Sequence, residues 1–385
     1  MPLRLSLPTE TMSTADTNDF FITQRSSAEI KSELLNEFFK AWCSAQLQGQ
    51  RYKSNPVLAF IDLYAGDGKP EDGKPATPVR VLNSIFGATD KYNLNKVVRT
   101  FFNDEKKTVT ARLKENLQQL PYYEDLQHKP VLLHEDSSLA ALAKLLGNDT
   151  PTLLYLDPFG YEFSQQLLLQ SVRRWGLDLF MLFTPAKLRA AVQQATEDSI
   201  MADVLGKERL EKIREFCDRY QDAGQREDFM VDQFEDVFRE KDYKTFRFKI
   251  SLPKKNQTSH YLFFVSKNDA PYMKMKELML MYSDYQEDGV PLFGANIKHQ
   301  LSLFQEQYRY SIKNLIADLA EKRSYYHNLP IDSIYRHHNI GTNYIRGNYK
   351  EAFEALKAEG IVEAINPVSR QPMRKVSFTS IIGYK

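Results

Sequence analysis

The run 154–163, Leu-Tyr-Leu-Asp-Pro-Phe-Gly-Tyr-Glu-Phe, carries the sharpest chemical signal in the chain. The Asp157 carboxylate and the Pro158 carbonyl can each accept a hydrogen bond from one –NH₂ group held between them. The nitrogen lone pair is then left aimed at an electrophile. Phe159 or Tyr161 can stack on a flat heterocycle such as a flipped-out base, and Gly160 closes the turn. Such a site needs no metal, because positioning and electrostatics supply the catalysis. The bland alternative for these residues is an ordinary aromatic-rich turn.

Three further clusters lie upstream, each after an apolar run that reads as a strand. The first is Asp62-Leu63-Tyr64-Ala65-Gly66-Asp67-Gly68, in which Tyr64 and Ala65 lead into a glycine turn. Glycine there permits close backbone approach to a ligand. The second is Asp104-Glu105, either of which can accept both hydroxyl hydrogens of a ribose. The third is Asp136-Ser137, suited to an adenine amino group and a ring nitrogen. Helix capping is the competing use for the second and third clusters.

The spacing discriminates among nucleotide-like ligands. A pyrophosphate wants a helix N-terminus directly after the glycines. Here residues 69–76, with two prolines and two acids, separate Gly68 from the next helical pattern. S-adenosylmethionine has no pyrophosphate, and its sulfonium and amino groups are cationic. Asp62 suits that charge, so S-adenosylmethionine is the expected cofactor.

Strand and helix patterns alternate in the order needed to bring these clusters together. Strands are expected at 57–62, 97–103, 131–134, 152–157 and 177–184. Helices are expected at 27–48, 78–86 (with Thr77 as N-cap), 108–120, 139–146 and 164–175. This alternation implies a parallel, doubly wound α/β sheet, whose ligands sit beyond the carboxyl ends of the strands. Residues 186–242 read as a helical insertion or lid. A hairpin over 243–252 and 261–265 closes the sheet, and a helix follows at 271–282.

The chain has 385 residues, enough for two or three domains. Its net charge of +1 gives no overall nucleic-acid or membrane signal. Cys43 and Cys217 are too few for a disulfide framework or a cysteine zinc site, which fits a reducing cytoplasm. No run of 18 apolar residues is present, so no membrane span is expected. Residues 301–385 carry 12 Lys and Arg against 8 Asp and Glu, a local charge of +4. Helices at 315–325, 331–336 and 342–359, then a hairpin over 361–365 and 375–378, give a winged-helix pattern. Asn343, Arg346 and Lys350 would lie near the start of a recognition helix, and Arg370, Arg374 and Lys375 on the wing, facing nucleic acid. The expected division is an arm at 1–26, a sheet domain at 27–298 and the winged helix at 299–385.

The order of DLYAGDG, NDE, HEDS and LDPFGYEF resembles class I S-adenosylmethionine-dependent methyltransferases, with LDPF a variant of the D/N-P-P-aromatic motif of amino-methylating enzymes. FIDLYAGDG paired with YLDPFG, plus the basic tail, more specifically resembles the three-Cys-motif partner protein family of bacteria, over about residues 28–385. That resemblance implies a Rossmann-like methyltransferase domain and a partner with a three-cysteine motif of the iron–sulfur, radical type. It implies that Asp62, Gly66 and Gly68 hold the cofactor and that residues 157–160 line the reaction site. Phe159 departs from the second proline of the motif. The expected activity is amino-group methylation on nucleic acid. The alternatives are a non-catalytic cofactor-binding subunit of a radical partner and a DNA-binding regulator.

Overall fold

A computed structural model describes residues 27–69, 75–88, 93–134, 150–156, 177–197, 199–251, 257–295 and 309–385. In chain order the elements are α1 (Ser27–Gly49), β1 (Leu58–Asp62), α2 (Thr77–Phe86), β2 (Val98–Asn103), α3 (Lys107–Gln118), β3 (Val131–Leu133), β4 (Thr152–Leu156) and β5 (Leu177–Phe183). Then come α4 (Pro185–Gln194), α5 (Ile200–Leu205), α6 (Lys207–Arg219), α7 (Ala223–Arg239), β6 (Lys244–Ser251), β7 (Thr258–Ser266), α8 (Asp269–Leu280) and β8 (Gly294–Ala295). The chain continues with α9 (Ile312–Glu321), β9 (Leu329–Pro330), α10 (Ile331–His338), α11 (Arg346–Ala358), β10 (Val362–Ile365) and β11 (Ile381–Tyr384). Residues 1–26, expected as an arm, and the helices expected at 139–146 and 164–175 lie outside the described residues.

The main sheet is Rossmann-like and mixed, in the order β3-β2-β1-β4-β5-β7-β6-β8. The first five strands in that order run parallel, β7 is reversed against both β5 and β6, and β6 pairs in parallel with β8. Alternation along each strand divides its side chains between two cores. Phe60, Phe102, Phe180 and Phe264 face α1, where Phe38 stacks on Phe180 with centroids 5.3 Å apart and Phe39 meets Phe60 edge-on. Ile61, Leu154, Met181 and Phe263 face the other side, against α4 to α7. The helices expected as an insertion or lid therefore supply the second layer of the sheet. Phe234 and Phe238 of α7 pack on Phe263, and Phe234 also meets Phe183.

At the amino edge of the sheet, Asp178 is fully buried. Its Oδ2 accepts from Trp42 Nε1 at 2.7 Å and Gln46 Nε2 at 3.1 Å, which fixes α1 to β5. Burial raises its pKa to about 7 against the lowering effect of Ser266, Trp42 and Gln46.

Helices α9, α10 and α11 form a third core with a three-stranded sheet, β10-β11-β9, in which both pairings are antiparallel. This module does not stand apart. Lys276 of α8, 1% exposed, donates to Asn339 O, Asn339 Oδ1 and Thr342 O at 3.0, 3.2 and 2.9 Å, in the turn between α10 and α11.

Three sequence expectations are corrected. Thr77 is the first residue of α2, and Ala76 holds the cap position without a side-chain bond. The helix expected from 342 begins at Arg346, because Thr342 and Tyr344 are held in a turn by Thr342 Oγ1 and because the Ile345 N–H donates to Asn348 Oδ1 at 2.9 Å. Residues 375–378 are not a strand. Ser377 and Ser380 bond each other through N–H, carbonyl and hydroxyl, which makes a turn, and the paired strand is β11. The strand β8, two residues long, has no counterpart among the sequence expectations.

Candidate active site at the carboxyl edge of the sheet

Asp62 is the last residue of β1 and only 2% exposed. Its Oδ1 accepts the Tyr64 N–H at 3.1 Å. Burial raises its carboxyl pKa to about 7; the Tyr64 N–H opposes this, and the charge of Asp104 adds to it. Asp104 is the acid after β2 whose charge reaches Asp62. Asp104 is half-buried and acts on Asp62, whereas Glu105 is exposed. Asp104 also accepts the Lys106 N–H at 3.0 Å.

The loop after Asp62 is held from below. Asn103, buried at the end of β2, accepts the Ala65 N–H through its carbonyl at 2.9 Å and donates Nδ2 to Leu63 O at 3.2 Å. Asn116 Nδ2 of α3 donates to Asp67 O at 2.7 Å. Ala65 is buried and Tyr64 half-buried. Sequence reasoning did not single out Asn103; a polar residue at the last position of an apolar strand was the available signal.

The two glycines do different work. Both have positive φ, +66° at Gly66 and +75° at Gly68. A Cβ on Gly68 would lie 2.6 Å from Leu113 Cδ1, so this glycine lets α3 pack against the loop. Among the described residues a Cβ on Gly66 would meet nothing within 4 Å. Gly66 is thus the glycine with space for a ligand. Among the described residues the next helix N-terminus after the loop is that of α2, at Thr77.

The strands β3 and β4 end at the same edge. Asp136, Ser137 and the expected catalytic residues Asp157, Pro158, Phe159 and Gly160 lie outside the described residues. Beyond β5, β7 and β6 the edge opens into a cleft of about 1560 Å³, walled by α4, α6 and α7. Arg189, Arg214, Lys249, Asp218, Asp228 and His260 are among its lining groups, a mixture of both charges. The cleft is larger than an ordinary small-molecule pocket, which measures roughly 300–1,000 Å³.

The tail residues separate into two groups. Asn343 precedes α11 and donates Nδ2 to Leu292 O at 3.3 Å. Arg346 pairs with Asp332 at 2.6 Å and lies over the Phe378 ring at 4.3 Å. These two serve internal contacts. Lys350, Arg370, Arg374 and Lys375 are exposed. The last three share the β10–β11 connection, which Lys357 of α11 holds by donating to Arg374 O at 2.7 Å. His337 and His338 belong to an aromatic cluster: His338 Nδ1 bonds the Tyr349 hydroxyl at 2.7 Å and His337 Nδ1 the Tyr326 hydroxyl at 3.1 Å.

No family model matches the chain, and no curated protein matches it either. The resemblance to the three-Cys-motif partner family therefore stands on the motifs alone. Solved structures give weak matches. A DszA carbon methyltransferase aligns at TM-score 0.38 and 14% identity, over 64% of this chain and 56% of that one. An rRNA methylase from Streptococcus thermophilus aligns at TM-score 0.30 and 7% identity, over 64% and 98%. Magnesium protoporphyrin IX methyltransferase from Synechocystis PCC 6803, with bound SAM, aligns at TM-score 0.29 and 8% identity, over 69% and 100%. Scores this low carry no weight for function. Among the described residues no helix is long and apolar enough to cross a membrane.

Proposed function

We propose that the chain is an S-adenosylmethionine-dependent methyltransferase acting on an amino group of nucleic acid. The observation that carries this reading is the buried Asp62 at the end of β1, beside the open space at Gly66, with Asp104 following the neighbouring strand β2. Two acids, with the next described helix starting only at Thr77, suit a cationic ligand and not a pyrophosphate. The reversed β7 between β5 and β6 agrees with the class I sheet expected from the motifs. Residues 157–160 are assigned the acceptor nitrogen on their sequence motif. Titration calorimetry tests the reading: micromolar S-adenosylmethionine binding supports it, and no binding removes it.

The Asp62 carboxyl gives this binding a pH signature. Its raised pKa means that the folded, unliganded protein binds more protons than the unfolded chain between about pH 4 and 7. Folded-state stability from this group is therefore lost as pH rises through about 7. A bound sulfonium favours the ionised carboxylate. Affinity is expected to rise from pH 5.5 to 7.5 and then level off, with proton release on binding at pH 6. Calorimetry in buffers of different ionisation enthalpy reads that release; a flat profile would remove Asp62 from the cation contact.

We read the C-terminal module as a winged helix on its three helices and three-stranded antiparallel sheet, and take the β10–β11 connection, with its exposed cations, as the wing. Replacing Arg370, Arg374 and Lys375 with alanine is expected to lower the salt slope of duplex DNA binding by about 0.9 for each phosphate no longer neutralised. Arg346→Ala should instead leave the slope unchanged and cost about 1 kcal/mol of stability, because its ion pair and its stacking on Phe378 both disappear.

A further inference from the structure

The large cleft beyond β5, β7 and β6 has no Phe, Tyr or Trp among the described residues that line it. Aromatic faces stand instead at its rim. Cys217 and Asp218 line the cleft on one side of Tyr220 in the chain, and Asp222 and Arg226 on the other.

Tyr220 ends a ladder of three rings carried by α6 and α7. Its ring stacks on Phe216 with centroids 4.3 Å apart and planes at 26°, and Phe216 stacks on Phe229 at 4.0 Å and 6°. Two rings cannot lie side by side on one face of a third at these separations, so Phe216 is sandwiched between the other two. Phe229 packs against the core under α4 to α7, which closes the inner end. The outer end is the free face of Tyr220. This residue is 41% exposed. With one face covered by Phe216, that exposure falls on the other face and the ring edge.

The backbone that carries the ring is fixed on both sides. The Tyr220 N–H donates to Phe216 O at 2.9 Å. Arg226 donates Nε to Tyr220 O and Nη2 to Gln221 Oε1, the second at 3.1 Å. A ring held in this way can accept a second ring at little ordering cost.

The surrounding charges decide what that second ring belongs to. Arg219, next to Tyr220, is exposed and has no carboxylate partner among the described residues, and Arg226 bonds neutral oxygens. Glu215, Asp218 and Asp222 are exposed on the same stretch. This mixed field does not suit the dense charge of a duplex, whose base faces are also hidden. A single strand offers open base faces, and stacking on an aromatic ring needs no net charge. A protein partner fits less well, because interface cores are depleted of charged residues and this ring is surrounded by them.

We propose that the outer face of Tyr220 is a stacking platform for one unpaired base of a single-stranded nucleic acid, with a neighbouring phosphate at Arg219. The inference rests on nucleic acid being the acceptor. Every base has a flat face, so the platform holds the strand at the cleft rim without choosing its sequence.

The test uses the full chain and a single-stranded oligothymidylate decamer with one central 2-aminopurine, whose emission is quenched by stacking. A second decamer with an end label reads affinity by anisotropy. The wild type is expected to bind and to quench. Tyr220→Ala should lose the quenching and bind about tenfold more weakly, or ~1.4 kcal/mol. Tyr220→Phe should keep both properties. Tyr220→Leu, which retains an apolar contact with Phe216 and so protects the fold, should behave as Tyr220→Ala. The ratio of wild-type to Tyr220→Leu affinity should hold between about 50 and 200 mM salt, because the lost contact carries no charge. No binding by the wild type overturns the proposal, as does binding without quenching. Wild-type affinity and quenching in Tyr220→Leu overturn it too, as does a ratio that collapses with salt. Calorimetry with S-adenosylmethionine separates the two readings: cofactor binding without quenching removes the platform alone, and quenching without cofactor binding removes the methyltransferase alone.

Discussion

Gly66→Val is expected to weaken S-adenosylmethionine binding about a hundredfold, or ~2.7 kcal/mol. Two effects combine. At φ +66° an L-residue costs roughly 1–2 kcal/mol, and β-branching makes the conformation harder to hold. The new side chain also points into the open space that the ligand is expected to fill. Gly66→Ala, which carries the backbone cost and little of the bulk, should lose only about tenfold on the same principle. Gly68→Ala separates the two glycines. Its methyl would press on Leu113 Cδ1, so the expected loss is in melting temperature, with ligand affinity kept in the protein that remains folded. Calorimetry and thermal melts on all three variants decide the matter. Equal affinity in Gly66→Val and wild type would place the cofactor elsewhere.

Lys276→Met is expected to destabilise the protein by about 3 kcal/mol. Burial pushes the lysine pKa down, yet its three acceptors at 2.9–3.2 Å match the three N–H donors of an ammonium. Methionine fills similar volume but leaves Thr342 O and Asn339 Oδ1 facing an apolar chain. These oxygens hold the turn between α10 and α11 against α8, and Phe293 lies 5.6 Å from the same ammonium. The loss should therefore fall on the joint between the two cores. Denaturant unfolding is expected to separate into two transitions, with faster amide exchange in 312–358. A single cooperative transition of wild-type midpoint would show that this ammonium does not join them.

The sheet was legible because its strands are buried on both faces and read as short apolar runs. The ends of β1, β2, β4 and β5 fall within a residue of expectation. The acids at the strand ends were legible for the same reason, since a charge directly after such a run stands out. Choosing Asp104 over Glu105 was not, because that depends on which side chain turns toward Asp62. β8 escaped notice because Gly294 and Ala295 have no pattern of their own and pair only through backbone. The start of α11 was misplaced because the polar groups of Thr342 and Asn343 bond the turn and Leu292, contacts that leave no mark in the sequence. Lys276 carried no signal at all: a lysine on an amphipathic helix normally marks the wet face.

The two-residue strand β8 has a consequence for solubility. β6 is eight residues long and would otherwise be the margin of the sheet, presenting a row of unpaired amides and carbonyls. Gly294 and Ala295 occupy that row at Lys249 and Ile250, and the Lys249 N–H donates to Phe293 O at 3.0 Å. Exposed margins of that length are templates for joining one molecule to the next. A shortened chain that stops after α8 would keep β1 to β7 and is expected to self-associate through this bare flank.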